Sequence, residues 1–351
     1  MGDERVGMVL CAGLGTRLRP LTSEVPKAAV PVCGVPLLRY AFSLLAGAGV
    51  RRVVVNAHHL AGRIVETACA AAQALGQSVV VSREPIIAGT GGALREARAA
   101  LEGARAIVLM NGDILFDVDL EAALAAHDAA GALATMVLAP MPEGSGYAAV
   151  ETDASLVVRR VAGRFGPGGE GLVRWHFTGV HILSPELIDR IPPRPFELDV
   201  NRQVYPTLFA SGLVRGHLAS GYWNDLGTPD RYLAANFDLL AGRVPLARFL
   251  GADPWRGCAR PSAGLYLDPG AEVEEGAVLL PPALVGQRAR IARGAVVGPF
   301  VVVGREGRVG PAARVERAVV WEGTVLEPGE ELASAVAAGK LRVRASAPGL
   351  P

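Results

Sequence analysis

The stretch Val6-Gly-Met-Val-Leu10-Cys-Ala12-Gly13-Leu-Gly15-Thr16-Arg17-Leu-Arg19-Pro20-Leu-Thr22-Ser-Glu-Val-Pro26-Lys27 joins a short apolar run to a glycine turn carrying fixed cations. The run 6–10 reads as a strand. The glycines that follow permit positive φ and let backbone N–H groups approach an anion closely. Arg17 and Lys27 supply the positive charge that offsets what builds up in phosphoryl chemistry. Two common phosphate turns do not fit. No Gly-Lys-Ser/Thr closes the loop as in a Walker turn, and Arg19 or Pro20 stands where the dinucleotide fingerprint has its third glycine.

Around this turn the chain alternates. Apolar runs at 53–56, 78–81, 106–109 and 134–138 read as strands, and Ala- and Leu-rich stretches at 36–48, 60–75, 92–101, 120–130 and 228–241 read as helices. Such alternation predicts an α/β domain with a mixed, mostly parallel sheet covered by helices on both faces. Ligands of open α/β sheets bind beyond the carboxyl ends of the strands. That rule gathers the loop after Leu10, the Asn111-Gly112-Asp113 loop and the Gly89-Thr90-Gly91-Gly92 loop around one crevice.

A Pro/Gly/Arg-rich stretch at 243–264 reads as a linker, and beyond it apolar residues recur every six positions: Leu267, Val273, Leu279, Val285, Ile291, Val297, Val303, Val309, Val315 and Trp321. Mostly small residues follow each by four, from Ala271 and Ala277 to Val319 and Val325. This is the signature of hexapeptide β-helix repeats, about three coils of them. The expected domains are 1–242, the linker 243–264, and repeats with a terminal cap at 265–343. Hexapeptide acyltransferases use a histidine base, and no histidine follows His217, so the repeats read as a support for assembly into a homo-oligomer.

Composition narrows the partners. In 351 residues, 35 basic and 34 acidic side chains are scattered to a formal charge of +1, which is no footprint for nucleic acid or an anionic membrane. The start, Met1-Gly-Asp-Glu-Arg5, has no apolar signal region, and no apolar run nears the roughly 18 residues of a spanning helix. A cytoplasmic protein acting on small molecules is expected. Cys11, Cys33, Cys69 and Cys258 lack metal-ligand spacing and read as reduced, buried thiols.

The glycine turn resembles the signature of the sugar-1-phosphate nucleotidylyltransferases, Gly-x-Gly-Thr-Arg-x-x-Pro-x-Thr followed by Pro-Lys, and every fixed position of it is present. The resemblance implies a Rossmann-like nucleotidyltransferase domain followed by a left-handed parallel β-helix. It also implies attack of a sugar-1-phosphate on the α-phosphorus of a nucleoside triphosphate. Two anions meet in that reaction, so positioning and charge stabilisation carry it. By the resemblance, Arg17 serves the β- and γ-phosphates, Lys27 the α-phosphate, and Asp113 and Asp225 a Mg²⁺ ion. Magnesium commonly takes one or two carboxylates. Each aspartate taken alone also suits a turn or cap.

Nucleotide contacts are expected from Leu10, Ala12, Gly13, Gly15, Thr16, Gly89, Thr90 and Asn111. Glu84 is expected either to accept from the adjacent N–H donors of guanine or to be a surface residue offset by Arg83. Tyr147, Thr178 and Gly179 match the family's sugar-phosphate segments. The family's Glu-Lys-Pro is absent, and the stretch 157–165 offers only Arg159, Arg160 and Arg164. His58 and His59 read as a polar strand-end pair, Asp117 and Asp119 as cap and surface groups, and Trp223 as packing beside Asp225. The layout points first to mannose-1-phosphate with GTP. Glucose-1-phosphate uridylyl-, thymidylyl- or adenylyltransferase activity and a silent nucleotide-sugar-sensing subunit are the alternatives.

Overall fold

The computed structural model describes residues 4–193, 197–244 and 255–346. They group into two compact units. The first comprises Met1–Gly13 and Ala41–Trp223, the second Leu14–Tyr40 and Asn224–Pro351. This division cuts across the sequence boundary expected at 242, because the turn 14–40 and the segment 224–242 group with the repeats. Much of the expected linker, 245–254, lies outside the described residues.

The first unit is built on a nine-stranded sheet. Its parallel part pairs Glu4–Leu10 with Arg52–Ala57 on one side and Ala104–Asn111 on the other, and Ser78–Arg83 extends it at the edge. Val6, Met8, Val53, Val54, Ile107 and Leu109 are fully buried, as expected of parallel strands covered on both faces. At Gly7 an added Cβ would lie 2.7 Å from Leu45, so the absent side chain is what admits the helix Leu37–Gly47 at this distance.

Antiparallel pairing is more extensive than the expected mostly parallel sheet. The eleven-residue strand Val173–Leu183 runs antiparallel to Ala104–Asn111, Ala134–Ala139 and Ala149–Thr152. Its sequence, Val-Arg-Trp-His-Phe-Thr-Gly-Val-His-Ile-Leu, mixes polar and apolar residues without regular alternation, which hid it. The helices Ala61–Leu75, Leu120–Ala130 and Pro229–Leu240 lie within two residues of their expected bounds. Asp119 caps the second by accepting from the Ala122 N–H, and Thr228 caps the third by accepting from the Arg231 N–H.

In the second unit, short strands pair in parallel with partners 18 residues on: Leu265 with Ala283, Glu272 with Arg290, and Val278 with Val296. This pairing is compatible with a β-helix. Val285, Ile291, Val297, Val303, Val309 and Val315 form its buried column. The period then shortens by one residue. Val303 pairs with Val320 and Val309 with Leu326, so the interior column continues through Val320, Leu326 and Leu332 instead of Trp321. The small-residue column shifts likewise to Ala318, and Val325 is exposed. The antiparallel strands Glu331–Ala338 and Leu341–Arg344 close the last coil. No disulfide links the cysteines among the described residues; Cys11 and Cys33 are buried, whereas Cys258, whose thiol donates to Asp268 Oδ1, is partly exposed and Cys69 is exposed, contrary to expectation.

Candidate active site

Register places two expected nucleotide-binding residues of the first unit, Leu10 and Asn111, side by side. Leu10 pairs with Asn56 and with Asn111 at the carboxyl ends of adjacent parallel strands. Beyond Leu10 the backbone turns under two constraints. The Cys11 N–H donates to Asn56 Oδ1 at 2.6 Å, and the Gly112 N–H donates to Leu10 O at 2.9 Å. A Cβ on Gly112 would meet Cys11 Sγ at 2.7 Å, so glycine is required for the loop carrying Asp113 to cross here. Burial and then the Asp113 charge push the Cys11 thiol far up, which leaves it an inert packing group. Ala12 is buried, whereas Gly13 is exposed and a Cβ there would meet no neighbour. The fold does not demand that glycine, and the space over it is open to a ligand.

Glu84 departs from both readings of the sequence. It is 5 % exposed; one carboxylate oxygen accepts from Asn56 Nδ2 at 2.7 Å and the other from the Ala88 N–H at 3.0 Å. Both oxygens thus hold the loop after its strand, and the carboxylate is neither a surface group nor an open edge for guanine. Asn56 bridges Cys11 and Glu84 from the end of an apolar strand. The sequence reading missed it, and its signal was a polar residue closing an apolar run. His58 contacts the Glu84 carbonyl at 2.9 Å, in keeping with a polar strand-end role.

Packing against the 197–200 segment accounts for the Gly89–Gly92 loop. A Cβ on Gly89 would meet Leu198 O at 2.7 Å, and one on Gly91 would overlap the Leu198 side chain. The Gly91 N–H donates to Leu198 O, and Thr90 Oγ1 accepts from the Val200 N–H at 2.8 Å. These residues build the wall of the loop, and the Thr90 hydroxyl is engaged within the protein.

Gly179, expected at the sugar phosphate, comes together with Asn111, expected at the nucleotide. Gly179 has φ +91°, and a Cβ there would lie 2.8 Å from Asn111 Nδ2. Thr178 is a correction: its hydroxyl is buried and donates to Val137 O, and its carbonyl accepts from Trp223 Nε1 at 2.7 Å. Tyr147 joins an aromatic cluster with His176 and Trp223, at ring distances of 4.6 Å to His176 and 5.4 Å to Trp223. His176 was not anticipated. The arginines at the missing Glu-Lys-Pro are otherwise used, since Arg159 pairs with Asp153, Arg160 with the buried Glu151, and Arg164 lies over the Phe165 ring. Asp117 is buried rather than on the surface.

The second unit gathers the charged end of the glycine turn. Gly15 is left-handed at φ +60°, and a Cβ there would press on Thr22 and on Lys27 Cβ at 3.2–3.3 Å. Thr22 Oγ1 closes the turn by donating to Gly15 O. Lys27, 8 % exposed, donates from Nζ to the main-chain carbonyl of Asp225 at 2.8 Å, across 198 residues of sequence. The Asp225 carboxylate accepts from Arg231 Nη1 and from the Gly227 N–H, and Arg17 Nη2 lies 3.9 Å away. Gly227 matters sterically, because a Cβ on it would stand 3.0 Å from the Arg17 guanidinium. Two arginines therefore flank one buried carboxylate while Lys27 holds the same residue's main-chain carbonyl, and the excess positive charge suits a polyphosphate. Thr16 is exposed at the start of the turn. Asp113 belongs to the first unit and the Arg17, Lys27 and Asp225 cluster to the second.

Residues 6–242 match the family model described as Nucleotidyl transferase. The chain is 30 % identical over 325 residues to a mannose-1-phosphate guanylyltransferase of Mycobacterium tuberculosis, covering 92 % of this chain and 81 % of that protein. It is 35 % identical over 243 residues to an N-acetylmuramate alpha-1-phosphate uridylyltransferase of Caulobacter vibrioides, covering 66 % of this chain and 95 % of the relative. A UTP--glucose-1-phosphate uridylyltransferase of a Synechocystis species is 28 % identical over 360 residues, covering 95 % and 87 % of the two chains. With the family match spanning the strand ends and the charged turn alike, the chain belongs to the nucleotidyl transferase family.

Proposed function

We propose that this protein transfers a nucleotidyl group from a nucleoside triphosphate to a sugar-1-phosphate. An oxygen of the sugar phosphate attacks the α-phosphorus, the α–β phosphoanhydride bond breaks, and pyrophosphate leaves with the bonding pair. The supporting observation is the contact of Lys27 Nζ with Asp225 O, which joins the end of the glycine turn to the distant 221–229 segment. Lys27 is assigned to the α-phosphate, Arg17 to the β- and γ-phosphates, and the strand-end backbone at Leu10 to Gly13 with Asn111 to the nucleoside. These groups bring the anions together and offset the charge on the leaving group, and no nucleophilic side chain is needed.

Asp113 and Asp225 are each assigned to Mg²⁺ binding, since carboxylate oxygens suit a hard cation. The ion, when bound, would neutralise phosphate charge. Asp225 shares its oxygens with Arg231, so its availability to a cation depends on that arginine. The repeats are assigned to a left-handed β-helix supporting a homo-oligomer, and the protein to the cytoplasm. No described helix is long and apolar enough to cross a membrane.

GTP with mannose-1-phosphate is the first substrate pair, supported by the Mycobacterium tuberculosis relative. UTP is the second reading. Two of the relatives are named as uridylyltransferases, and the engagement of Glu84 by Asn56 and Ala88 removes the argument that favoured guanine. A pyrophosphate-release assay across GTP, UTP, dTTP, ATP and CTP with mannose-, glucose- and N-acetylhexosamine-1-phosphates decides among them. Silence in every combination would leave a nucleotide-sugar-sensing subunit as the surviving reading.

A further inference from the structure

Trp321 is the aromatic exception in an otherwise aliphatic six-residue column, and it stands where the period shortens by one. Val320 takes the interior position opposite Val303, and Trp321 reaches instead to the helix Pro229–Leu240. Its Nε1–H donates to Tyr232 Oη at 3.0 Å, and the Tyr232 hydroxyl donates to Pro31 O at 2.5 Å. The two rings meet edge to face at 6.4 Å. Tyr232 is fully buried, so this relay is shielded from competing water.

One turn further along the same helix, Asn236 Oδ1 accepts from the Cys33 N–H at 2.7 Å, and Asn236 Nδ2 donates to Tyr232 O. The hairpin formed by Pro31–Val32 and Val35–Pro36 is thus pinned at two points by one helix. It begins four residues after Lys27, and the Lys27 turn leads directly into it, with the Val30 N–H donating to Lys27 O. The first turn of that helix also carries Arg231, the partner of Asp225. A single buried helix therefore holds both halves of the Lys27–Asp225 contact.

We propose that Trp321 and Tyr232 are positioning residues for Lys27, so that the repeat strands set the place of the cation assigned to the α-phosphate. The role passes through the Pro31 carbonyl and the hairpin, and neither ring need touch substrate. The inference rests on the reaction proposed above only for its effect on turnover. Its structural content, that the relay holds Lys27 against Asp225, is measurable without turnover.

Lys27 and Lys340 are the two lysines of the chain, which allows a direct measurement. Acylation by an amine reagent, followed by mass spectrometry, reports Lys27 exposure against Lys340 as the internal reference in the full chain. Tyr232→Phe and Trp321→Phe each keep an aromatic ring and remove one donor of the relay. Each is expected to raise the Lys27 labelling ratio about tenfold and to lower kcat about tenfold, with KM for the sugar phosphate within about twofold. The double variant is expected to be no worse than either single one, because both break the same relay. Unchanged labelling and kcat together with a lowered unfolding temperature would reduce the pair to packing and overturn the proposal. If Tyr232→Phe does not fold, Trp321→Phe decides by the same two readouts. A wild type silent with every substrate pair sinks the assigned reaction, and the labelling ratio then decides the positioning role alone.

Discussion

Arg231 Nη1 lies 2.8 Å from both carboxylate oxygens of Asp225, six residues earlier in the chain, while Lys27 Nζ holds the carbonyl of the same aspartate. Asp225 is 8 % exposed, and a buried carboxylate is costly unless compensated. Arg231 supplies that compensation and fixes the carboxylate. Replacing it by Gln is expected to lower turnover about tenfold and to destabilise the fold by roughly 1.5–3 kcal/mol, the usual range for a hydrogen bond to a charged group. A double-mutant cycle with Asp225→Ala checks the coupling. Additive losses would show that the contact carries no shared energy.

Lys27 and Arg17 are assigned to charge that develops in the transition state, so their loss falls on turnover rather than on folding. Lys27→Ala and Arg17→Ala are each expected to cost on the order of 100- to 1000-fold in kcat. Pyrophosphate release measures this, with circular dichroism to confirm an intact fold. A variant that raises KM alone, with kcat preserved, would move the residue from transition-state stabilisation to simple binding.

Asp113→Ala is expected to abolish turnover without unfolding the protein, since Asp113 is half-buried beside a glycine turn and outside the apolar core. Chelation of divalent cations is expected to have the same effect and to be reversed by excess Mg²⁺. Full activity in the presence of a chelator would remove the cation, and with it the role given to Asp113.

Glu84→Gln separates loop-building from base reading. Because both Glu84 oxygens accept from Asn56 and Ala88, the substitution is expected to raise KM for every nucleoside triphosphate by a similar factor of about ten. A loss confined to one base would return Glu84 to direct recognition.

Acid sensitivity follows from buried histidines. Burial holds His181, in contact with Tyr205 Oη, down at about 3, and lowers His127, which contacts Thr135 and Ser184. A histidine with a depressed folded pKa takes up its proton more readily when unfolded. Its contribution is therefore complete above the ordinary value of about 6.5 and is lost as pH falls through the window below it, for His181 down to about 3. Urea unfolding from pH 7 to 4 is expected to show stability falling by about 1.4 kcal/mol per pH unit for each histidine still titrating. His181→Gln should flatten part of that slope, and an unchanged slope would place the acid sensitivity elsewhere.

Much of the site was legible in the chain because its signals are local. Gly15 is glycine for a left-handed φ, Lys27 closes a motif of fixed spacing, and the parallel strands are continuous apolar runs whose ends the strand-end rule could align. His176, Arg231 and Tyr232 gave no such signal, and Asn56 gave only that of a polar residue closing an apolar run. Each acquires its role from a residue brought near by folding: Asn56 from Glu84, Arg231 from Asp225, and Tyr232 from Pro31 and Trp321.

By itself the sequence determined the classes of element, the six-residue repeat and the glycine turn with its cations, since periodicity and backbone permissiveness are properties of neighbouring residues. Only the tertiary structure decided that Glu84 and Thr178 turn inward, that the sheet carries a long antiparallel strand, and that the repeat slips by one residue at Trp321. The physical reason is that a buried donor or acceptor must find its partner wherever folding places one, and strand register decides which side chain faces it.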